Sequence, residues 1–132
     1  PFTPEDPDFY STDAFTDRAV GFLDRYGGED RPFFLYLAHK DPHQPCIPSK
    51  KFAGSSKAGP HGDAVREVDW SVGQVLATLN DLDLDRKTLV VFTSDNGPDR
   101  YSLACADFFS ARGGLRGRLR TAHDLRGKRR PA

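Results

Sequence analysis

An α/β fold, with a parallel sheet flanked by helices, is what this sequence predicts, on three observations. Two uninterrupted apolar runs, residues 33–38 (Phe-Phe-Leu-Tyr-Leu-Ala) and 89–92 (Leu-Val-Val-Phe), lack polar alternation, as strands buried on both faces do. Each run follows a stretch whose apolar residues recur at helical spacing. A long loop rich in proline and glycine separates the first run from the second helical stretch. The order helix, strand, loop, helix, strand is that of successive right-handed α/β units.

Taken in order, residues 1–10 are proline-rich and acidic and read as a loop. Ser11 or Thr12 suits a helix N-cap, with Asp13 in the first turn where the helix dipole favours it. Phe15, Ala19, Phe22, Leu23 and Tyr26 form the expected apolar stripe, and Gly27-Gly28 the stop. Pro32 opens the first strand. Residues 39–61 form a loop with Pro42, Pro45, Pro48, Gly54, Gly59 and Pro60, a length usually functional or disordered. A second helix is expected over 63–79, with Asp63 as N-cap and Val65, Val68, Val72, Val75, Leu76 and Leu79 on its buried stripe. Gly73 inside it costs up to about 1 kcal/mol relative to alanine, tolerable if a neighbour packs closely there. Trp70 reads as packing, and His61 and His123 as surface residues. An acidic connector, 80–87, leads into the second strand, which Gly97 and Pro98 end.

The 132 residues are 37% hydrophobic and 29% charged, the balance of a globular segment rather than a disordered one. No apolar run reaches the length of a membrane span, and the first residues carry no signal-peptide pattern. Two parallel strands are too few to stand alone, and the sequence starts with proline and contains no methionine; a fragment is expected on both grounds. Charge is unevenly spread. Residues 111–132 hold eight Lys/Arg against Asp124, a net +7, which leaves the rest of a neutral chain at −7. The division expected is 1–110 as the α/β segment and 111–132 as an irregular basic tail. That tail has no aromatic interleaving and no recognisable module, so nucleic acid is not the expected partner. Cys46 and Cys105 match no metal-ligand spacing; pairing and two thiols both remain open.

Candidate chemistry sits where both strands end. In α/β sheets ligands gather at the carboxyl ends of strands, the position of Asp95-Asn96. Two adjacent oxygen-bearing side chains suit a hard divalent cation, Ca²⁺ or Mg²⁺, although Asp-Asn-Gly is also ordinary turn chemistry. His43, in Lys40-Asp-Pro-His-Gln-Pro45, follows the first strand and is braced by prolines. An imidazole there suits donation to an oxyanion or acid catalysis; alone it reads equally as an exposed loop histidine. Its placement on the same edge as Asp95 and Asn96 is what favours a site.

These segments together resemble the sulfatase family, within the alkaline-phosphatase-like superfamily. The resemblance rests on the 32–38 strand with His43 and Pro45, on Gly62-Asp63 through Val68-Asp69-Trp70-Ser-Val-Gly73, and on 88–98 with its Ser-Asp-Asn-Gly-Pro end. It covers about residues 11–100 and implies a partial alkaline-phosphatase-like parallel sheet. By that resemblance Asp95 and Asn96 are two calcium ligands, and His43 contacts the sulfate group. Asparagine after the aspartate favours sulfate over phosphate esters. The family's nucleophile is a hydrated formylglycine made in a Cys-x-Pro-x-Arg motif, which attacks sulfur, releases the alcohol and then frees sulfate. That motif is absent here, since Cys46 precedes Ile47 and Cys105 precedes Ala106, and the paired N-terminal aspartates of the metal site are missing too. Gly114-Leu-Arg-Gly117 is similar to a family segment whose lysine contacts sulfate, but Leu119 stands at the lysine position, and Asp124-Leu-Arg-Gly-Lys-Arg matches poorly what normally follows. The resemblance therefore implies a sulfate-ester hydrolase segment, inactive by itself, in a periplasmic, secreted or lysosomal protein. A non-catalytic, decayed relative is the alternative.

Overall fold

The structure, a computed structural model, describes residues 9–95. The chain divides into two units, Pro1–Val90 and Val91–Ala132. The first contains two helices packed on each other, α1 (Ser11–Tyr26) and α2 (Gly59–Asp81). The expected boundary at 110/111 and the basic tail lie outside the described residues.

Helix α1 begins where expected, yet its cap is Tyr10 rather than Ser11 or Thr12, and no side chain caps it. Gly27 ends it by closing its N–H on the Leu23 carbonyl at 2.7 Å. A Cβ on Gly27 would lie 2.6 Å from the Leu23 carbonyl oxygen, a backbone atom that cannot swing aside as Leu84 Cδ1 at 2.7 Å can, so a larger residue would shift the helix end. The buried stripe is Thr12, Thr16, Ala19 and Leu23, not the aromatic one expected. Phe15 is exposed, while Phe22 and Tyr26 are half-buried, their rings tilted 49° to each other with centres 5.1 Å apart. Two threonines enter the core because their hydroxyls are satisfied there: Thr16 Oγ1 donates to the Thr12 carbonyl at 2.6 Å and Thr12 Oγ1 to Asp41 at 2.8 Å.

Helix α2 starts four residues before the expected Asp63 and runs two past Leu79, with Pro60 in its first turn, where a missing N–H costs nothing. Its buried residues are Gly62, Asp63, Ala64, Glu67, Ser71 and Leu79. Of the expected stripe only Leu79 is buried; Val65 and Leu76 are exposed. Asp63 is not the N-cap. From inside the helix its carboxylate accepts the Gly54 N–H at 2.8 Å, the Ser56 N–H at 2.6 Å and the Ser55 hydroxyl at 3.3 Å, folding the preceding loop onto the helix. Desolvation pushes this carboxyl up, but those donors and the Arg66 charge hold it net below the usual carboxylate range. A Cβ on Gly62 would meet Ser56 Oγ and, at 2.7 Å, Ala58 Cβ. At Gly73 a Cβ would meet nothing within 4 Å, so close packing does not account for that glycine. Trp70 packs as expected, 5.8 Å from the Phe52 ring, with Lys51 Nζ 3.7 Å from its centre.

The sheet is the main correction: among the described residues there is no strand. Phe33, Leu35, Leu37 and His39 are half-buried, whereas Phe34, Tyr36 and Ala38 are exposed. That alternation covers one face only. A ladder needs an adjacent backbone to exchange hydrogen bonds with, and no described segment supplies one. Residues 89–92 show no alternation and are exposed throughout.

Candidate functional site

His43 sits on a tight turn of the first unit, exposed, between Pro42 and Pro45. Its N–H donates to the Lys40 carbonyl at 3.1 Å. Its ring Nδ1 lies 2.7 Å from the Gln44 carbonyl oxygen. A carbonyl only accepts, so Nδ1 carries the proton, and Nε2 is left as the atom open to a ligand. The turn is closed further by Cys46 Sγ, which donates to the Pro42 carbonyl at 3.3 Å.

Asp41, two residues before this histidine, is turned inward and only 8% exposed. Thr12 Oγ1 donates to its Oδ2, and Tyr10 Oη reaches the same oxygen at 3.2 Å. The single Tyr10 hydroxyl proton goes to the nearer acceptor, the Ile47 carbonyl at 2.6 Å, so Asp41 Oδ2 takes its hydrogen bond from Thr12. Burial first, then the Asp41 and Glu67 carboxylates, push the Tyr10 phenol above its usual range, so it stays a proton donor. Glu67, fully buried on α2, accepts the Ser49 N–H at 3.0 Å and ties the far end of the loop.

A second buried relay links α1, α2 and the segment before the turn. Thr16 has spent its proton on Thr12, so it accepts from Ser71 Oγ at 2.5 Å. Ser71, its own proton spent, can only accept from His39 Nε2 at 3.1 Å. The neutral imidazole of His39 is therefore the Nε2–H tautomer, and its buried Nδ1 has no partner. Burial pushes His39 down, and the Asp41 charge opposes this less strongly. His61, expected on the surface, is half-buried and likewise pushed down by burial.

Asp95 belongs to the second unit. It is exposed, and among the described residues its Oδ1 meets Ser94 Oγ, at 3.5 Å; a carboxylate so placed is a donor that suits a hard cation. Asn96, the other expected metal ligand, lies outside the described residues, as do Cys105, Leu119 and His123. Among the described residues no group of three or more His, Cys, Asp or Glu forms a metal site, so Asp95 fits a calcium ion as one donor without completing its shell. No described helix is long and apolar enough to cross a membrane.

The sequence places His43 on a proline-flanked turn, where it lies, but gives no sign of the residues that hold that turn. Tyr10, Thr12 and Glu67 gave no signal, because their partners lie 18 to 37 residues away. Asp41 is marked in the sequence only by its place two residues before His43.

The sulfatase family model matches residues 1–132. The chain is 41% identical over 86 residues to an N-acetylgalactosamine-6-O-sulfatase of Bacteroides thetaiotaomicron, and 46% identical over 86 residues to the N-acetylgalactosamine-6-sulfatase of Canis lupus familiaris. Each match takes in 65% of this chain and 16% of the relative. Human arylsulfatase A is 42% identical over 92 residues, covering 70% of this chain and 17% of its own. A structure from work on glycosaminoglycan metabolism by Bacteroides thetaiotaomicron superposes with a TM-score of 0.62 at 41% identity, over 66% of this chain and 18% of that one. A second, Ps i-CgsB in complex with a neocarrahexaose, gives 0.64 at 33% identity, over 74% and 22%.

Proposed function

The chain belongs to the sulfatase family, and from that premise we propose that it supplies one wall of the active centre of a sulfuric ester hydrolase. His43 is the residue that meets the substrate. The observation that carries this is its fixed ring: with Nδ1–H committed to the Gln44 carbonyl, Nε2 is free and exposed. Protonated, Nε2–H donates to a sulfate oxygen or to the departing alcohol oxygen; neutral, it accepts a proton from a hydroxyl. Asp95 and Asn96 would hold Ca²⁺ together with ligands from elsewhere. When bound, that ion would stabilise negative charge on the transferring sulfuryl group. The likeness to N-acetylgalactosamine-6-sulfatases makes a 6-O-sulfated amino sugar the first substrate class to test.

The chain spans 16% of the length of those relatives and holds no Cys-x-Pro-x-Arg motif. By itself, with an aryl sulfate and Ca²⁺, it is expected to give no turnover; clear turnover overturns the assignment of the nucleophile to a motif absent here. Titration with inorganic sulfate and with N-acetylgalactosamine 6-sulfate checks the histidine. The ¹⁵Nε2 resonance of His43 is expected to move and its Nδ1 to stay. A resonance that does not respond overturns the anion contact.

A further inference from the structure

We propose that Tyr10 and Asp41 are positioning residues for His43, acting as a bracket that clamps both ends of its turn and so sets the ring's tautomer. The inference rests on the reading of His43 as the substrate-facing imidazole.

The geometry is particular. Two hydroxyls at the start of α1 hold the two ends: Thr12 Oγ1 donates to Asp41 Oδ2 on the near side of the histidine, and Oη of the cap residue Tyr10 donates to the Ile47 carbonyl on the far side. Residues 42–45 between these anchors are all exposed and have no apolar packing to hold them. Their shape therefore depends on the anchors and on the two bonds inside the loop, His43 N–H to Lys40 and Cys46 Sγ to Pro42. Tyr10 and Thr12 are two residues apart, so α1 grips the turn through separate hydroxyls of its cap and its first turn. The carboxylate also lies beside the N-terminus of α1, where the helix dipole favours negative charge and no side chain supplies a cap. The consequence falls on the ring. A free imidazole prefers no such partner, and the Nδ1–H form persists here only while the Gln44 carbonyl stays 2.7 Å away. Carbonyl and ring lie inside the bracket, so releasing either end frees the ring to exchange tautomers.

The test compares Tyr10→Phe with the unaltered chain by ¹⁵N NMR of the imidazoles and by amide exchange. Loss of the hydroxyl is expected to leave the helical circular dichroism unchanged. It should lower the Nδ1–H population of His43 and speed exchange of the His43 amide by about threefold to tenfold, what one hydrogen bond is worth. His39 serves as the internal control, since its tautomer is set by Ser71 and should not move. Thr12→Val provides a second variant that frees only the Asp41 end and should give a smaller change of the same sign. If His43 keeps its tautomer and exchange rate in folded variants, the bracket is overturned. Sulfate titration separates this from the functional reading. A chain whose tautomer responds to Tyr10→Phe but whose Nε2 ignores sulfate retains the bracket and loses the anion contact; the reverse pattern retains the contact and loses the bracket.

Discussion

Residue by residue, polar atoms decide this small fold. Thr12, Thr16, Ser71 and Glu67 occupy buried positions that apolar side chains would ordinarily take. Each has a partner distant in sequence: Ser71 is 55 residues from Thr16 and 32 from His39. Helical periodicity weighs hydrophobicity and is blind to such pairs, so the two helices were legible in the sequence while their buried faces were not. His43 was legible for a different reason, because prolines and the end of an apolar run mark its turn locally. His39 carries a prediction of its own. Burial keeps it below the ordinary value of 6.5 in the folded chain, so the unfolded chain takes up the proton more readily. Its stabilising contribution is whole above that value and is lost progressively as pH falls below it. Urea midpoints measured from pH 7.5 to 5 are expected to decline with acidity. His39→Gln, whose amide can still donate to Ser71, should flatten that decline in part and leave the share due to His61, which burial also lowers. An unchanged slope would remove His39 from the account.

For the helices, stability rests on few contacts. The buried apolar residues are Ala19 and Leu23 of α1 with Ala64 and Leu79 of α2. Leu23, 1% exposed, is the largest of the side chains buried below 2%. Its truncation to alanine is expected to cost about 3–5 kcal/mol, the range for a buried leucine that leaves a cavity. A typical domain's whole margin is about 5–15 kcal/mol, so this variant should lose most of its helical signal near room temperature. Phe15→Ala, at a ring 37% exposed and 6.4 Å from that of His39, should cost less, about 1–2 kcal/mol, despite deleting the larger ring. Thermal melts of the two variants check the order. The reverse order would restore the aromatic stripe that helical spacing suggested. Asp63 makes the same point about boundaries: it looks like a cap because it precedes a periodic stretch, but it lies one turn inside α2 because its carboxylate is spent on the loop behind it.

On the scale of the whole chain, the apolar runs read as strands that need neighbours on their edges, and among the described residues neither forms a strand. A sheet is a property of neighbours, and hydrophobicity along one segment says nothing of whether another lies beside it. The result is an apolar surface: Phe34 is 87% exposed, Tyr36 80% and Leu89 89%. Burying an aromatic side chain is favourable by about 1.5–3 kcal/mol, so a segment with such a face and open backbone edges invites association. The chain by itself is therefore expected to bind a hydrophobic dye and to self-associate with rising concentration. The double substitution Phe34→Lys and Tyr36→Lys should suppress both, because like charges along one face repel a second copy. Neither residue is buried, so the α1–α2 pair should keep its circular dichroism and its melting temperature within a few degrees. Sedimentation across a concentration series measures the first effect and a thermal melt the second. Self-association that survives the lysines would place the sticky surface elsewhere, with residues 89–90 the next segment to charge.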